Sequence, residues 1–178
     1  CARFVAGSRA SRVRPAPLAS TIRATRAIRT SAARIAGASA GVCTRVVAAA
    51  IRRETRLVCA VHASNVFGSI QPVAEIARVA HEHAVPILVD GSQTAGALPF
   101  SVEELGLDLF AFTGHKGLLG PPGTGGLYVR PGLELATSKE GGTGTRSESL
   151  EQPGAMPARL ESGTVNAWGL AGLRAGVE

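Results

Sequence analysis

The chain has 178 residues, 45% of them apolar, which is long enough for one domain with a sizeable core. Residues 1–53 hold eleven arginines and no acid, while the remainder holds eight basic and thirteen acidic residues, so the net charge of +6 belongs to the head. Phe4 is the head's only aromatic and no run is long enough to span a bilayer, so neither nucleic acid nor a membrane is expected as partner.

Residues 1–40 are rich in Arg, Ala and Ser and follow neither a strand nor a helix period. They are expected to be disordered or non-native, although the composition also fits an organelle transit peptide. The chain opens on Cys1 and stops at Glu178 in mid-pattern, the mark of a fragment. Thr44 to Arg53, TRVVAAAIRR, predicts a helix with Thr44 as a possible N-cap. LVCAV, residues 57–61, is a continuous apolar run that predicts a strand covered on both faces, with Cys59 buried. Cys1, Cys43 and Cys59 have no metal-site or disulfide spacing, and a reduced, cytoplasmic setting is expected.

Pro72 opens a helix carrying Val73, Ile76, Ala77 and Ala80 on one stripe. PILV, residues 86–89, predicts a second buried strand and ends at Asp90. A short helix is expected near Val102 to Leu105, a third strand at Asp108 to Phe112 and a fourth at Gly125 to Val129. Residues 141–145 and 161–166 are turn-rich, and Ala167 to Val177 resumes a helical pattern. Alternation of strands with helices predicts an α/β domain with a mainly parallel sheet, whose ligands sit beyond the strand carboxyl ends.

Asn65, Asp90 and Lys116 each follow one strand end. The chain has two lysines, Lys116 and Lys139, so chemistry that needs a deprotonatable amine has few places to go. Lys116 is either a solvated surface lysine or an amine that condenses with an aldehyde, with Gly114 and Gly117 leaving room for a bulky adduct. Asp90 either caps the turn that follows it or holds a protonated ring nitrogen. A sheet-end aspartate followed by such a lysine is the minimal constellation for pyridoxal phosphate. Gln93 is a candidate donor to the ring's phenolate oxygen, and Thr113 and His115 are candidate phosphate ligands. Asn65 could contact the ring or a substrate carboxylate, or simply form a turn. His62, His81 and His83 lack the spacing for one metal site. GLLGPPGTGG has neither the P-loop ending nor the dinucleotide fingerprint, which disfavours a nucleotide-binding enzyme.

The ordered segments HASNVFGSIQP, ILVDGSQTAG, FAFTGHKGLLGPPGTGGLYV and EGGTGTRSESLEQPGAMPARLESGTVN resemble the class V aminotransferase superfamily, and cysteine desulfurase-like proteins most of all. The resemblance spans residues 41–178 and implies the central part of the large domain of a fold-type-I enzyme that uses pyridoxal 5′-phosphate. It implies Lys116 as the Schiff-base lysine, Asp90 as the partner of the pyridine nitrogen, Gln93 as the O3′ donor, and Thr113 and His115 as phosphate ligands. Asn65 matches the loop asparagine near cofactor and substrate. Thr164 matches a threonine that reaches the neighbouring subunit's cofactor, so a homodimer is implied. The implied substrate is an amino acid, cysteine foremost, converted to alanine with sulfur passed to an acceptor protein. A selenocysteine lyase or a class V aminotransferase or epimerase of the same superfamily is the alternative, and a non-catalytic fragment is the rival of another class. The family's ring-stacking histidine, substrate-carboxylate arginine and sulfur-accepting cysteine have no counterpart here. No metal is implied.

Overall fold

The computed structural model describes residues 44–142, 144, 149 and 151–178. The head, residues 1–40, and Cys43 lie outside these. Helix α1 is Thr44–Ala50, β1 Val58–Val61, α2 Val73–Glu82, β2 Ile87–Asp90, β3 Leu109–Thr113, β4 Gly125–Val129 and α3 Ala167–Val177, with a 3-10 turn at Ala158–Leu160 before α3. Among the described residues the strands form one sheet in the order β1-β2-β3-β4. The first two pairings are parallel and β3 with β4 is antiparallel. Eleven residues, 114–124, separate β3 from β4, and a connection without a helix returns the chain antiparallel. The α/β class with a mainly parallel sheet is as expected.

Helix α2 forms because its apolar residues recur at helical spacing: Val73, Ile76, Ala77 and Ala80 are all buried, with Val79 beside them. Pro72 takes the N-cap position rather than the first helical one. The helix ends at Glu82, and the chain turns away at Ala84, which has φ of 54°. There the Val85 N–H returns to the Ala80 carbonyl. The buried stripe meets Ile87, Val89, Leu107 and Phe110 in the core. Complete burial of Ile76 or Ile87 contributes roughly 2–3 kcal/mol each.

Register divides the sheet into two faces. Val58 pairs with Ile87, Ala60 with Val89, and Val89 with Phe110, so these share the core-facing side. Cys59 pairs with Leu88, Val61 with Asp90, and Asp90 with Ala111 on the other side. Strand β1 is therefore not covered on both faces: it is the sheet edge among the described residues, and Cys59 and Val61 are exposed. Cys59 is not a core residue, because period 2 turns it away from α2. Partial burial still pushes its thiol up from the ordinary value.

Residues 102–106 form a turn, not the expected helix. The Leu107 N–H reaches back to the Val102 carbonyl at 2.9 Å and Gly106 adopts φ of 65°, which closes the segment after one turn. Helix α1 stops at Ala50, three residues earlier than expected. Among the described residues no helix is long and apolar enough to cross a membrane.

At the amino-terminal end of β3, Asp108 ties the sheet together while only 1% exposed. Its carboxylate accepts from the Ile87 N–H at 2.8 Å and from Arg130 Nε at 2.7 Å, and lies 2.7 Å from His81 Nε2. Burial alone would raise its pKa, but the bonds from His81, Ile87 and Arg130 outweigh that and hold the carboxyl below its ordinary value.

Candidate active site

The carboxyl ends of β1, β2 and β3 lie at one sheet edge, and the polar residues named from the sequence follow them. Beyond β1, Ser64 builds a tight turn: its hydroxyl accepts from Val66 N at 3.2 Å and Phe67 N at 3.1 Å, and its carbonyl accepts from Gly68 N at 3.0 Å. The turn presents Asn65, which is exposed.

Asp90 ends β2, exposed, with Oδ1 accepting from the Ser92 N–H at 2.9 Å. No other hydrogen bond holds its carboxylate among the described residues, so the second oxygen is free for a ligand. Gln93 is exposed on the following turn, which is folded around the Gly91 carbonyl by Thr94 N at 2.9 Å and Ala95 N at 2.8 Å. Glycine is required at 91, where a Cβ would lie 1.8 Å from the ring of Phe110.

At the carboxyl end of β3, Thr113 Oγ1 and His115 Nδ1 are 2.7 Å apart, and His115 is exposed. Register puts Thr113 on the same face as Asp90, because Asp90 pairs with Ala111 and Thr113 lies two residues further on. Standard strand spacings set their Cα atoms about 8 Å apart.

Lys116 is exposed in a loop closed at Gly114, whose N–H donates to the Thr124 carbonyl and whose carbonyl accepts from Gly120, both at 2.8 Å. The lysine's own carbonyl accepts from Leu119 N at 2.9 Å, with Leu119 at φ of 58°. Gly114 and Gly117 do not leave the room that was expected. A Cβ on Gly114 would meet Thr124 Oγ1 at 2.2 Å, and one on Gly117 would meet the Ala95 carbonyl oxygen at 2.6 Å. Gly117 instead lets the lysine loop seat directly on residues 95–97, just after the Asp90–Gln93 segment, while Gly114 lets Thr124 close the loop. Helix α3 packs on the far side, with Leu173 against Gly114 and Gly120.

The structure thus brings the β2 turn and the lysine loop into contact, with Thr113 and His115 between them in sequence. Asn65 joins this edge through β1. Thr164 stands apart: it is exposed in the turn before α3 and hydrogen-bonds to none of the others.

Sequence reasoning missed His62 and Thr94. Both are buried, at 5% and 1% exposure, and His62 Nδ1 lies 2.9 Å from Thr94 Oγ1. The His62 ring stands edge-on to Phe100 at 4.9 Å, and burial pushes its pKa below the ordinary value. Ligand spacing was the wrong signal for this histidine; its place directly after an apolar strand was the available one.

The aminotransferase class-V family matches residues 23–178. A protein named probable cysteine desulfurase from Methanothermobacter thermautotrophicus is 41% identical over 134 residues, covering 72% of this chain and 33% of that protein. A cysteine desulfurase from Shigella sonnei is 41% identical over 130 residues, covering 70% of this chain and 32% of its own length. Among solved structures, the cysteine desulfurase CsdA of Escherichia coli superposes with a TM-score of 0.68 at 31% identity, over 75% of this chain and 34% of that one. SspA in complex with cysteine gives 0.64 at 31% identity, over 76% of this chain and 36% of its own. This chain spans about a third of the length of the relatives it matches. By the extent of the family match, the chain belongs to the aminotransferase class-V family.

Proposed function

We propose that this chain forms the pyridoxal phosphate site of a cysteine desulfurase, which takes sulfur from L-cysteine, leaves L-alanine and hands the sulfur to an acceptor protein. The observation that carries the reading is the seating of the Lys116 loop, at Gly117, on residues 95–97 of the segment that also carries Asp90 and Gln93. In support, the relatives named above include proteins named cysteine desulfurase or probable cysteine desulfurase, and one solved in complex with cysteine.

The donor set fits the cofactor. Among the described residues, Asp90 keeps a carboxylate oxygen without a hydrogen bond, Thr113 and His115 form a hydroxyl and imidazole pair, and the Lys116 amine is in an exposed residue of the loop. The bound cofactor supplies an electron sink for the substrate's α-carbon. Asp90 holds the proton on the ring nitrogen; an ion pair about 4 Å apart at an effective dielectric near 20 gains about 4 kcal/mol. Gln93 donates its amide N–H to the ring oxygen. Thr113 and His115 bind the phosphate. Lys116 would hold the cofactor, and its amine would serve as the base for the substrate's α-proton. Asn65 orients ring and substrate from the β1 side.

A second copy belongs to the reading, in which Thr164 reaches the partner's phosphate. Support comes from the surface around it, where Val165 is 53% and Trp168 91% exposed. Residues 41–178 then form the central part of a cofactor-binding domain working in a cytoplasmic setting.

The test adds pyridoxal phosphate to the purified chain, reduces it with borohydride and maps the modified peptide. Label on Lys116, lost in Lys116→Ala, supports the reading. No label, or label on Lys139 alone, refutes it.

A further inference from the structure

Two loops on which the proposed site depends meet at one buried polar pair. His62 directly follows β1 and begins the turn that presents Asn65. Its N–H donates to the Asp90 carbonyl at 2.9 Å, and its carbonyl accepts from Gln71 N at 2.8 Å where the turn closes. Thr94 belongs to the turn that carries Asp90 and Gln93. Its hydroxyl lies 3.3 Å from the Gly91 carbonyl and 2.9 Å from His62 Nδ1.

A hydroxyl has one proton. With that proton given to the Gly91 carbonyl, the arrangement that satisfies all three atoms has His62 Nδ1 protonated and donating to Thr94 Oγ1. The Gly91 carbonyl then accepts from the Thr94 hydroxyl as well as from the Thr94 and Ala95 amides. Its N–H is held by the Ala111 carbonyl of β3 at 2.8 Å. Removing the hydroxyl therefore loosens the turn and leaves the imidazole N–H without a partner in a buried place, and an unmade buried hydrogen bond costs more than a made one gains. The ring cannot turn freely to find another partner, because Phe100 stands against it and packs in turn on Phe110 at 5.3 Å.

We infer that His62 and Thr94 form a clasp that positions the Asn65 turn and the Asp90–Gln93 turn relative to each other. Neither residue touches the cofactor in this account; both act through Asn65, Asp90 and Gln93. The inference rests on the pyridoxal phosphate reading for its functional meaning, and on the hydrogen bonds alone for the coupling.

The experiment uses the full chain with Thr94→Val, which keeps shape and removes the hydroxyl, and Thr94→Ser, which keeps the hydroxyl. Amide hydrogen exchange is followed without cofactor, at matched global stability, at Val66 and Phe67 on one turn and Ser92, Thr94 and Ala95 on the other. Pyridoxal phosphate affinity is then measured by absorbance titration. Thr94→Val is expected to speed exchange in both turns and weaken cofactor binding about tenfold, with Thr94→Ser close to the unsubstituted chain. Unchanged exchange, or faster exchange in one turn only, overturns the clasp. Faster exchange in both turns with unchanged affinity overturns its positioning role. Should Thr94→Val fail to fold, Thr94→Ala also removes the hydroxyl and gives the same readout with a smaller side chain. If the unsubstituted chain takes up no pyridoxal phosphate, the proposed function fails instead, and exchange alone decides the clasp.

Discussion

Gly96 and Gly117 meet backbone to backbone: a Cβ on Gly96, whose φ is +79°, would stand 2.4 Å from the carbonyl oxygen of Gly117. Close approach of this kind fixes one loop on another without a side chain to flex. Alanine at 117 is expected to destabilise the fold by about 1–3 kcal/mol, the cost of overpacking. Urea denaturation reads that loss. Uptake of pyridoxal phosphate by the folded fraction should fall as well, because the lysine loop must lift from residues 95–97.

Asp108 sits at the opposite end of the sheet and governs acid stability. Its folded pKa is depressed, so its contribution is fully present above the ordinary aspartate value, about 3.9, and drains away as pH falls through the lower folded value. Asp108→Asn should remove that acid-side loss and cost about 1–3 kcal/mol at neutral pH. The estimate stays modest because Arg130 and His81 are 53% and 43% exposed and already well solvated. Urea midpoints measured from pH 3 to 7 check both parts.

His62 acts in a different window. Its folded pKa is also depressed, by burial, so the imidazole's contribution is present above the ordinary histidine value, about 6.5, and is lost as pH falls below it. His62→Asn keeps a polar atom toward Thr94 but has nothing to titrate. The difference in stability between the unsubstituted chain and this variant should therefore shrink between pH 7 and 5.5. A difference independent of pH would contradict a neutral buried imidazole.

Trp168 is 91% exposed on the helix after Thr164. With a second copy covering that surface, Trp168→Asp should shift the chain towards monomer in sedimentation while leaving the stability of the monomer itself nearly unchanged. Exposed positions away from special features typically change stability by no more than about 0.5 kcal/mol.

The sheet and the stripe of α2 were legible because periods of 2 and 3.6 are written in the apolar residues themselves. Gly125 to Val129 falls where expected, and Val73, Ile76, Ala77 and Ala80 are buried together. Burial of β1 was misread because a continuous apolar run does not reveal what covers its second face, and Cys59 paid for it. The segment from Val102 to Leu105 looked helical on composition, but Gly106 in the left-handed region ends it after one turn. At the site, strand order was enough to bring Asp90 and Thr113 to one edge. The close contacts at Gly114 and Gly117, and the His62–Thr94 pair, depend on residues far apart in sequence and carried no local signal.

In the proposed site, Asp90 and Lys116 hold opposite ends of one pyridine ring. The nitrogen-15 resonance of labelled cofactor, fixed by borohydride to this chain, reads that arrangement. A protonated ring nitrogen is expected at neutral pH on a Lys116-linked ring, shifting to the unprotonated position in Asp90→Asn. A ring nitrogen that is unprotonated from the start, or unmoved by that substitution, would contradict it.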